Sequence, residues 1–358
     1  MRILLFIPSL NSRGGVERAT VSLANALSQQ PDIQVSILLF ENITDPFFSL
    51  NENIDIFSLN IRHYKRSYLS VIRGIFKSLL NDVDFFITVE TMSLIFSFIP
   101  YVLTRKKTKL IVWEHFNFKN DNGRKARRWL RVLAAKKANL IVLLTKRDED
   151  QWLEELNIKA NITHIHNVSP FIKYENSYDI TSKNIISIGR YTRVKGFDRL
   201  IEIWEIFQKK YDGSDWVLNI VGYGEEKESL EHLIEISGVT NIFLTSSNDV
   251  ENDYRSASFY CMTSYFEGLP MVLIEAQSFG LPCVAFDVFT GPSEILDEST
   301  GILIKDGDLE SYADAIYKLA SNPELRNEMS FNAFEARRRF SEQVVAERWI
   351  DELNKLTY

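Results

Sequence analysis

The sequence predicts an α/β protein of two domains, on three observations. The chain has 358 residues, and domains ordinarily run to between one and two hundred. It opens with a short apolar run, a glycine-bearing turn and a stretch of helical apolar periodicity. The same order of strand, turn and helix returns at residue 184. A hydrophobic fraction of 45% is enough to fill two cores.

Met1 to Pro8 (Met-Arg-Ile-Leu-Leu-Phe-Ile-Pro) reads as a buried strand, a mostly apolar run closed by proline. The turn Ser9 to Arg18 carries Gly14 and Gly15, and Ala19 to Leu27 continues as a helix. Backbone amides at Gly14 and Gly15 can face a phosphate at the helix start. The pair lacks the three-glycine spacing of a dinucleotide fold, so a plain strand–helix turn explains it equally. Phe85 to Val89 is a second strand, with Glu90 at its end. Lys109 to Glu114 is a third, which places His115 at a carboxyl end, where α/β sheets hold ligands. A lone histidine is also a common structural residue. His164 and His166 lie near the interdomain segment and read as structural.

Asn167-Val168-Ser169-Pro170 and the polar stretch 175–183 break the periodicity, so the boundary is expected between His166 and Lys183. Asn184 to Ile188 is the opening strand of the second half, and Phe197 to Lys210 its helix. The loop between them carries Gly189-Arg190 and Lys195-Gly196. Arg190 by its planar fork and Lys195 as a point charge can grip a diphosphate there. A charged loop is otherwise a solvated face.

Glu267-Gly268-Leu269-Pro270-Met271-Val272-Leu273-Ile274-Glu275 is the most informative stretch. Two glutamates eight positions apart span a little over two turns, so one short element can present a carboxylate at each end. Gly268 permits close backbone approach, and Pro270 suits the first turn of a helix. The helix start offers amides to an anion. Taken alone, the pattern also fits two exposed glutamates flanking a core helix.

Together, Gly189-Arg190…Lys195-Gly196, Val221-Gly222-Tyr223-Gly224-Glu225, Glu267…Glu275 and Gly280-Leu281-Pro282-Cys283-Val284-Ala285-Phe286-Asp287 resemble the C-terminal domain of the GT4 glycosyltransferases. Gly14-Gly15-Val16-Glu17-Arg18 resembles that family's first loop, so the likeness covers nearly the whole chain. It implies the GT-B fold, two Rossmann-like domains facing across a cleft. It implies a retaining enzyme using a nucleotide-diphosphate sugar, usually UDP-linked, with no metal and no cofactor. By that resemblance Arg190 and Lys195 neutralise the leaving diphosphate, and Glu267 binds donor-sugar hydroxyls. Gly268, Leu269 and Pro270 line sugar and phosphate, Glu275 holds the ribose, and Gly189 and Gly222 belong to the same donor site. Gly14 and Gly15 face the phosphates from the other domain. His115 contacts the donor sugar and need not act as a base. One departure is Thr245-Ser246-Ser247-Asn248, where relatives place a glycine in a loop that meets the base. UDP is therefore implied by the family alone.

The resemblance gives domain limits of 1–167 for an acceptor-side domain and 183–340 for a donor-binding domain. A last helix of about 341–358, with Trp349, Leu353 and Leu356 near helical spacing, is expected to return to the first domain. Leu309 to Leu319 and Pro323 to Phe340 read as the helices before it. The two cysteines, Cys261 and Cys283, suggest no disulfide framework and fit a reducing compartment. The first ten residues lack the features of a signal peptide. The longest apolar run, Met92 to Leu103, contains Pro100 and is too short to span a bilayer.

Charge is unevenly shared. Of the net −7, residues 1–150 carry +8 and the remainder −15. The positive charge lies in 105–137: Arg105, Lys106, Lys107 and Lys109, then Arg124, Lys125, Arg127, Arg128, Arg131, Lys136 and Lys137 around Trp129. A basic helix with an embedded tryptophan suits an anionic membrane surface. A solvated helix packing its apolar residues inward is the alternative, and no nucleic-acid motif appears. The expectation is a cytoplasmic hexosyltransferase, peripheral on the inner membrane face. It would move a hexose or N-acetylhexosamine to a saccharide or lipid-linked acceptor in bacterial surface polysaccharide or lipopolysaccharide synthesis. A GT-B nucleotide-sugar epimerase and a non-catalytic partner subunit are the alternatives. The epimerase does not explain Glu267 and Glu275, and the intact Arg190, Lys195 and Glu267 argue against the second.

Overall fold

A computed structural model describes residues 1–12, 14–41, 46–64, 66–104, 107–121, 123–172, 178–211 and 215–357. Arg13, Arg105 and Lys106, and Glu175 of the polar stretch, lie outside the described residues. The chain divides into two compact units, Met1–Val168 with Ser341–Tyr358, and Ser169–Phe340.

The first unit holds strands β1 (Arg2–Phe6), β2 (Gln34–Leu39), β3 (Asp55–Ser58), β4 (Phe85–Val89), β5 (Lys109–Trp113), β6 (Leu140–Leu143) and β7 (Asn161–His164). All pair in parallel, in the order β3-β2-β1-β4-β5-β6-β7. β4 and β6 are buried at every residue, as expected of strands covered on both faces, and both are unbroken apolar runs apart from Thr88. β3, an edge strand, is exposed. The helices are α1 (Gly15–Ser28), α2 (Tyr68–Leu79), α3 (Leu94–Thr104), α4 (Ala126–Lys137) and α5 (Lys146–Glu155).

The second unit holds β8 (Asn184–Ile188), β9 (Val217–Val221), β10 (Ile242–Thr245), β11 (Phe259–Met262), β12 (Cys283–Asp287) and β13 (Gly301–Lys305), also all parallel, in the order β10-β9-β8-β11-β12-β13. Its helices are α6 (Phe197–Lys210), α7 (Lys227–Ser237), α8 (Val250–Arg255), α9 (Met271–Ser278), α10 (Pro292–Ile295), α11 (Leu309–Ser321) and α12 (Pro323–Ala336). The expected helix 323–340 is shorter: Arg337–Phe340 tightens into a 3₁₀ turn. Ser341 then caps α13 (Glu342–Lys355), accepting a hydrogen bond from the Val344 amide at 3.3 Å. α13 belongs to the first unit, where Trp349 meets Trp113 edge to face.

Each unit has its own core. Phe6, Phe40, Phe86 and Trp152 anchor the first, and Trp204, Phe207, Trp216 and Tyr312 the second. Each sheet changes winding direction beside its first strand. In the first, β1 lies between β2 and β4; in the second, β8 lies between β9 and β11. In open α/β sheets this switch point, at the carboxyl ends, is where ligands bind. Among the described residues no helix is long and apolar enough to cross a membrane.

Candidate active site

In the second unit the switch point lies between the loop after β8 and the loop after β11. The first carries Gly189 to Gly196, the second Thr263 to Pro270. Lys195 and Glu267 meet there: Nζ is 2.9 Å from Oε1, with both side chains mostly buried. Gly196 makes this possible. Its φ of +62° is left-handed, and a Cβ would overlap the Thr263 carbonyl, so glycine alone lets the two loops close up. Arg199, buried on α6, clamps the second loop. It donates to the carbonyls of Thr263 and Ser264 and pairs with Asp306 at 2.8 Å. Its guanidinium stacks on Phe286 and Tyr265, each 4.2 Å to the ring centre. Thr290 donates to the Glu267 carbonyl at 2.6 Å.

Three expectations need correcting. α9 starts at Met271, so Glu267 stands in the loop ahead of the helix, and the two glutamates do not mark its ends. Glu275 is inside the helix and buried, accepting a hydrogen bond from the Tyr254 hydroxyl at 2.9 Å. Pro270 is the N-cap residue, one position earlier than the first turn. Its carbonyl accepts the Leu273 amide at 3.0 Å, closing the first turn at the positive end of α9.

The remaining residues are placed as follows. Arg190 is largely exposed and lies 3.8 Å from Glu225. Gly189 and Gly222 abut: a Cβ on Gly222 would overlap the Gly189 carbonyl, so this glycine serves close packing of the β8 and β9 ends. Leu269 is buried.

In the first unit, Gly14 is the N-cap of α1, and its backbone faces the Glu17 side chain. Glu17 accepts a hydrogen bond from Ser12 Oγ at 2.6 Å. A carboxylate thus already stands at the positive end of α1. His115 follows β5 and packs against Trp113, with ring centres 4.3 Å apart. Its Nε2 is enclosed without a protein hydrogen-bond partner, and burial pushes its pKa down to about 4. His115 is therefore neutral near pH 7.

Sequence reasoning missed what holds His115. Glu114, fully buried, accepts the His115 amide at 3.0 Å and that of Phe116 at 3.2 Å. Thr91 donates to its other oxygen. Arg127 pairs with it at 2.9 Å, and Arg131 lies at 3.5 Å. Arg131 also donates to the carbonyls of Phe116, Asn117, Phe118 and Asn120. The expected basic face on α4 is thus a correction. Arg127 and Arg131 are each 1% exposed and serve the interior. Arg124, Lys125, Arg128, Lys136 and Lys137 remain outside, beside a Trp129 that is 79% exposed. Among the described residues no group of three or more His, Cys, Asp or Glu side chains is placed to hold a metal ion.

Two units with parallel, Rossmann-like sheets, each with loops gathered at its switch point, define the GT-B class. Comparison with known proteins agrees. The TarM protein of S. aureus, crystallised with Fondaparinux, alpha-GlcNAc-glycerol and UDP, matches at a TM-score of 0.80 and 17% identity over 99% of both chains. Residues 169–336 match the model of the glycosyl transferases group 1 family. An uncharacterized glycosyltransferase of Haemophilus influenzae is 34% identical over 98% of both chains. The amylovoran biosynthesis glycosyltransferase AmsD of Erwinia amylovora is 29% identical over 99% of both. The chain belongs to this family of glycosyltransferases.

Proposed function

We propose that the chain moves a hexose or N-acetylhexosamine from a nucleotide-diphosphate sugar, UDP-linked, to a saccharide or lipid-linked acceptor, with retention, as a member of the GT4 group. The observation that carries this reading is the Lys195–Glu267 pair at the switch point of the second sheet, next to the start of α9. Breaking a glycosyl–phosphate bond builds negative charge on the diphosphate and positive charge on the sugar ring. Preorganised donors aimed at the first are the largest catalytic contribution available. Lys195 and Arg190 supply cations, and the amides after Pro270 add the helix end. The pair is arranged for exchange: a diphosphate takes Lys195, and Glu267 turns to the sugar hydroxyls. Glu275 binds the ribose, Gly189, Gly222 and Gly268 to Pro270 line the donor, and Gly14 and Gly15 approach its phosphates. No cofactor is used, and these groups stand in place of a metal. His115, neutral, hydrogen-bonds a donor-sugar hydroxyl, while the leaving phosphate accepts the acceptor's proton.

The names of AmsD and TarM's ligands support a surface-polysaccharide acceptor and UDP, respectively. Trp129 and the outward cations of α4 support peripheral contact with the anionic cytoplasmic leaflet. The test is a panel of nucleotide sugars followed by NMR of the released sugar. Donor hydrolysis that stops in Lys195→Ala and Glu267→Ala and persists in excess EDTA is expected. Conversion of a donor to its epimer, or wild-type hydrolysis in either variant, would refute the assignment.

A further inference from the structure

The second unit buries a carboxylate among apolar neighbours. Glu275 is 5% exposed on α9, next to Leu273, Ile274 and Ala276, all buried. A charge taken out of water is costly unless it is hydrogen-bonded. The bond comes from another element. Tyr254, in the last turn of α8, donates its hydroxyl proton to Glu275 Oε2 at 2.9 Å. Tyr254 is itself fully buried. Its ring stacks on Phe279, with centres 5.3 Å apart and planes at 11°, and meets Phe171 edge to face at 6.2 Å. That packing fixes where the hydroxyl points. The pair also stands near the switch point. Tyr260, its ring centre 6.1 Å from that of Tyr254, bonds through its hydroxyl to the amide and the carbonyl of Ile188, the last residue of β8, at 3.1 and 3.0 Å. Burial first, then Glu275 and more weakly Glu267, push the pKa of that hydroxyl well above its usual value. Both glutamates therefore act on one group at the end of β8.

We propose that Tyr254 is the positioning residue of the ribose contact: it holds the Glu275 carboxylate where it accepts the ribose hydroxyls of the donor, and so makes the site select nucleotides that carry them. The inference rests on the reading of Glu275 as the ribose ligand and adds the residue that aims it. An ionised carboxylate accepts about four hydrogen bonds, so the one from Tyr254 leaves capacity for both ribose hydroxyls. The donor is also the right kind. A lysine or arginine would neutralise the carboxylate, whereas a neutral hydroxyl orients it and leaves it a charged, strong acceptor. Packing alone is a poor account of the pair, because replacing both partners of a buried hydrogen bond by apolar groups of the same shape is nearly neutral. Gln277 shows the contrast. Also buried on α9, it donates to the Ile295 carbonyl, a tie to backbone that only fixes the helix.

The test is isothermal titration of UDP, and of the dideoxy form of UDP that lacks both ribose hydroxyls, into the full chain as wild type, Tyr254→Phe and Glu275→Gln. Tyr254→Phe keeps the stacked ring and removes only the proton donor. UDP binding is expected to weaken about tenfold in both variants, the scale of a hydrogen bond to a charged group. The dideoxy nucleotide is expected to bind all three chains alike. A tyrosine that only packs would weaken both nucleotides equally or neither, and either result in Tyr254→Phe overturns the positioning role. Phe279→Leu, which loosens the ring stack and keeps the hydroxyl, serves where Tyr254→Phe is too unstable to titrate. A smaller loss confined to UDP is expected there, and an equal loss of both nucleotides again overturns the role. A Glu275→Gln chain that loses no UDP affinity, or loses both nucleotides equally, overturns the ribose reading beneath it. Absence of UDP binding in wild type overturns the UDP donor reading as a whole.

Discussion

The two units solve one structural problem with different chemistry. Each brings loops to the carboxyl edge of a parallel sheet, and each fixes a loop with buried arginine. Arg199 holds Thr263 and Ser264 in the second unit, and Arg131 holds Phe116 to Asn120 in the first. The difference is in where the carboxylate sits. In the second unit Glu267 is partly exposed and paired with Lys195 at 2.9 Å. In the first, Glu114 is sealed in with two arginines, and the partly exposed carboxylate is Glu90. One switch point is thus built around a partly exposed ion pair, the other around a permanent, buried one beside Glu90, whose φ is +64°.

The largest effect should come from breaking the permanent pair. Glu114→Ala leaves Arg127 and Arg131 buried beside an empty site, a loss of about 3–5 kcal/mol. Chemical denaturation measures it, and a loss below 1 kcal/mol would show that the cluster is not the support described. Next is Lys195→Ala. Transfer should fall by about 10²–10³-fold, the scale for losing one preorganised donor. Stability should change by no more than about 1 kcal/mol, because the pair is partly solvated. A variant as unstable as Glu114→Ala would erase the distinction between the two sites.

A smaller effect follows from Glu90. Native Glu90 keeps its proton up to about pH 7, while the unfolded chain releases it near 4.5. The folded state then binds more protons between those values, so wild-type stability falls as pH rises through that window. Gln does not titrate. Glu90→Gln should therefore be the more stable chain at pH 8, by about 1–2 kcal/mol after allowance for solvent, with the gap closing toward pH 4. Thermal melts across pH 4–8 measure it. Asp148, also raised to about 7 by burial, titrates in both chains and cancels. The smallest effect is Arg190→Gln: with both partners mostly exposed at 3.8 Å, no stability change is expected, while transfer weakens.

Much of the fold was legible because its signals are local. Asn184–Ile188 and Phe197–Lys210 appear where a short apolar run and a 3.6-residue periodicity place them. Lys195 was also readable, as a loop residue after the strand Asn184–Ile188. What was not readable depends on contacts distant in sequence. Arg127 and Arg131 read as surface cations because their run is basic throughout; only Glu114, thirteen or more residues earlier and at the end of another strand, explains their burial. The glutamate spacing of eight suggested one element, but Pro270 delays the helix to Met271 and leaves Glu267 outside it. No side-chain pattern announces the positive φ of Glu90, which is imposed by backbone bonds to Trp113 and Ser93.

The most direct test of the central claim, that the second unit's switch point holds the donor, is isothermal titration of UDP and of UDP-sugars into wild type, Lys195→Ala and Glu267→Gln. The account predicts that UDP binding weakens about tenfold or more in Lys195→Ala and little in Glu267→Gln, while one UDP-sugar loses affinity in both. Equal UDP affinity in wild type and Lys195→Ala would contradict it.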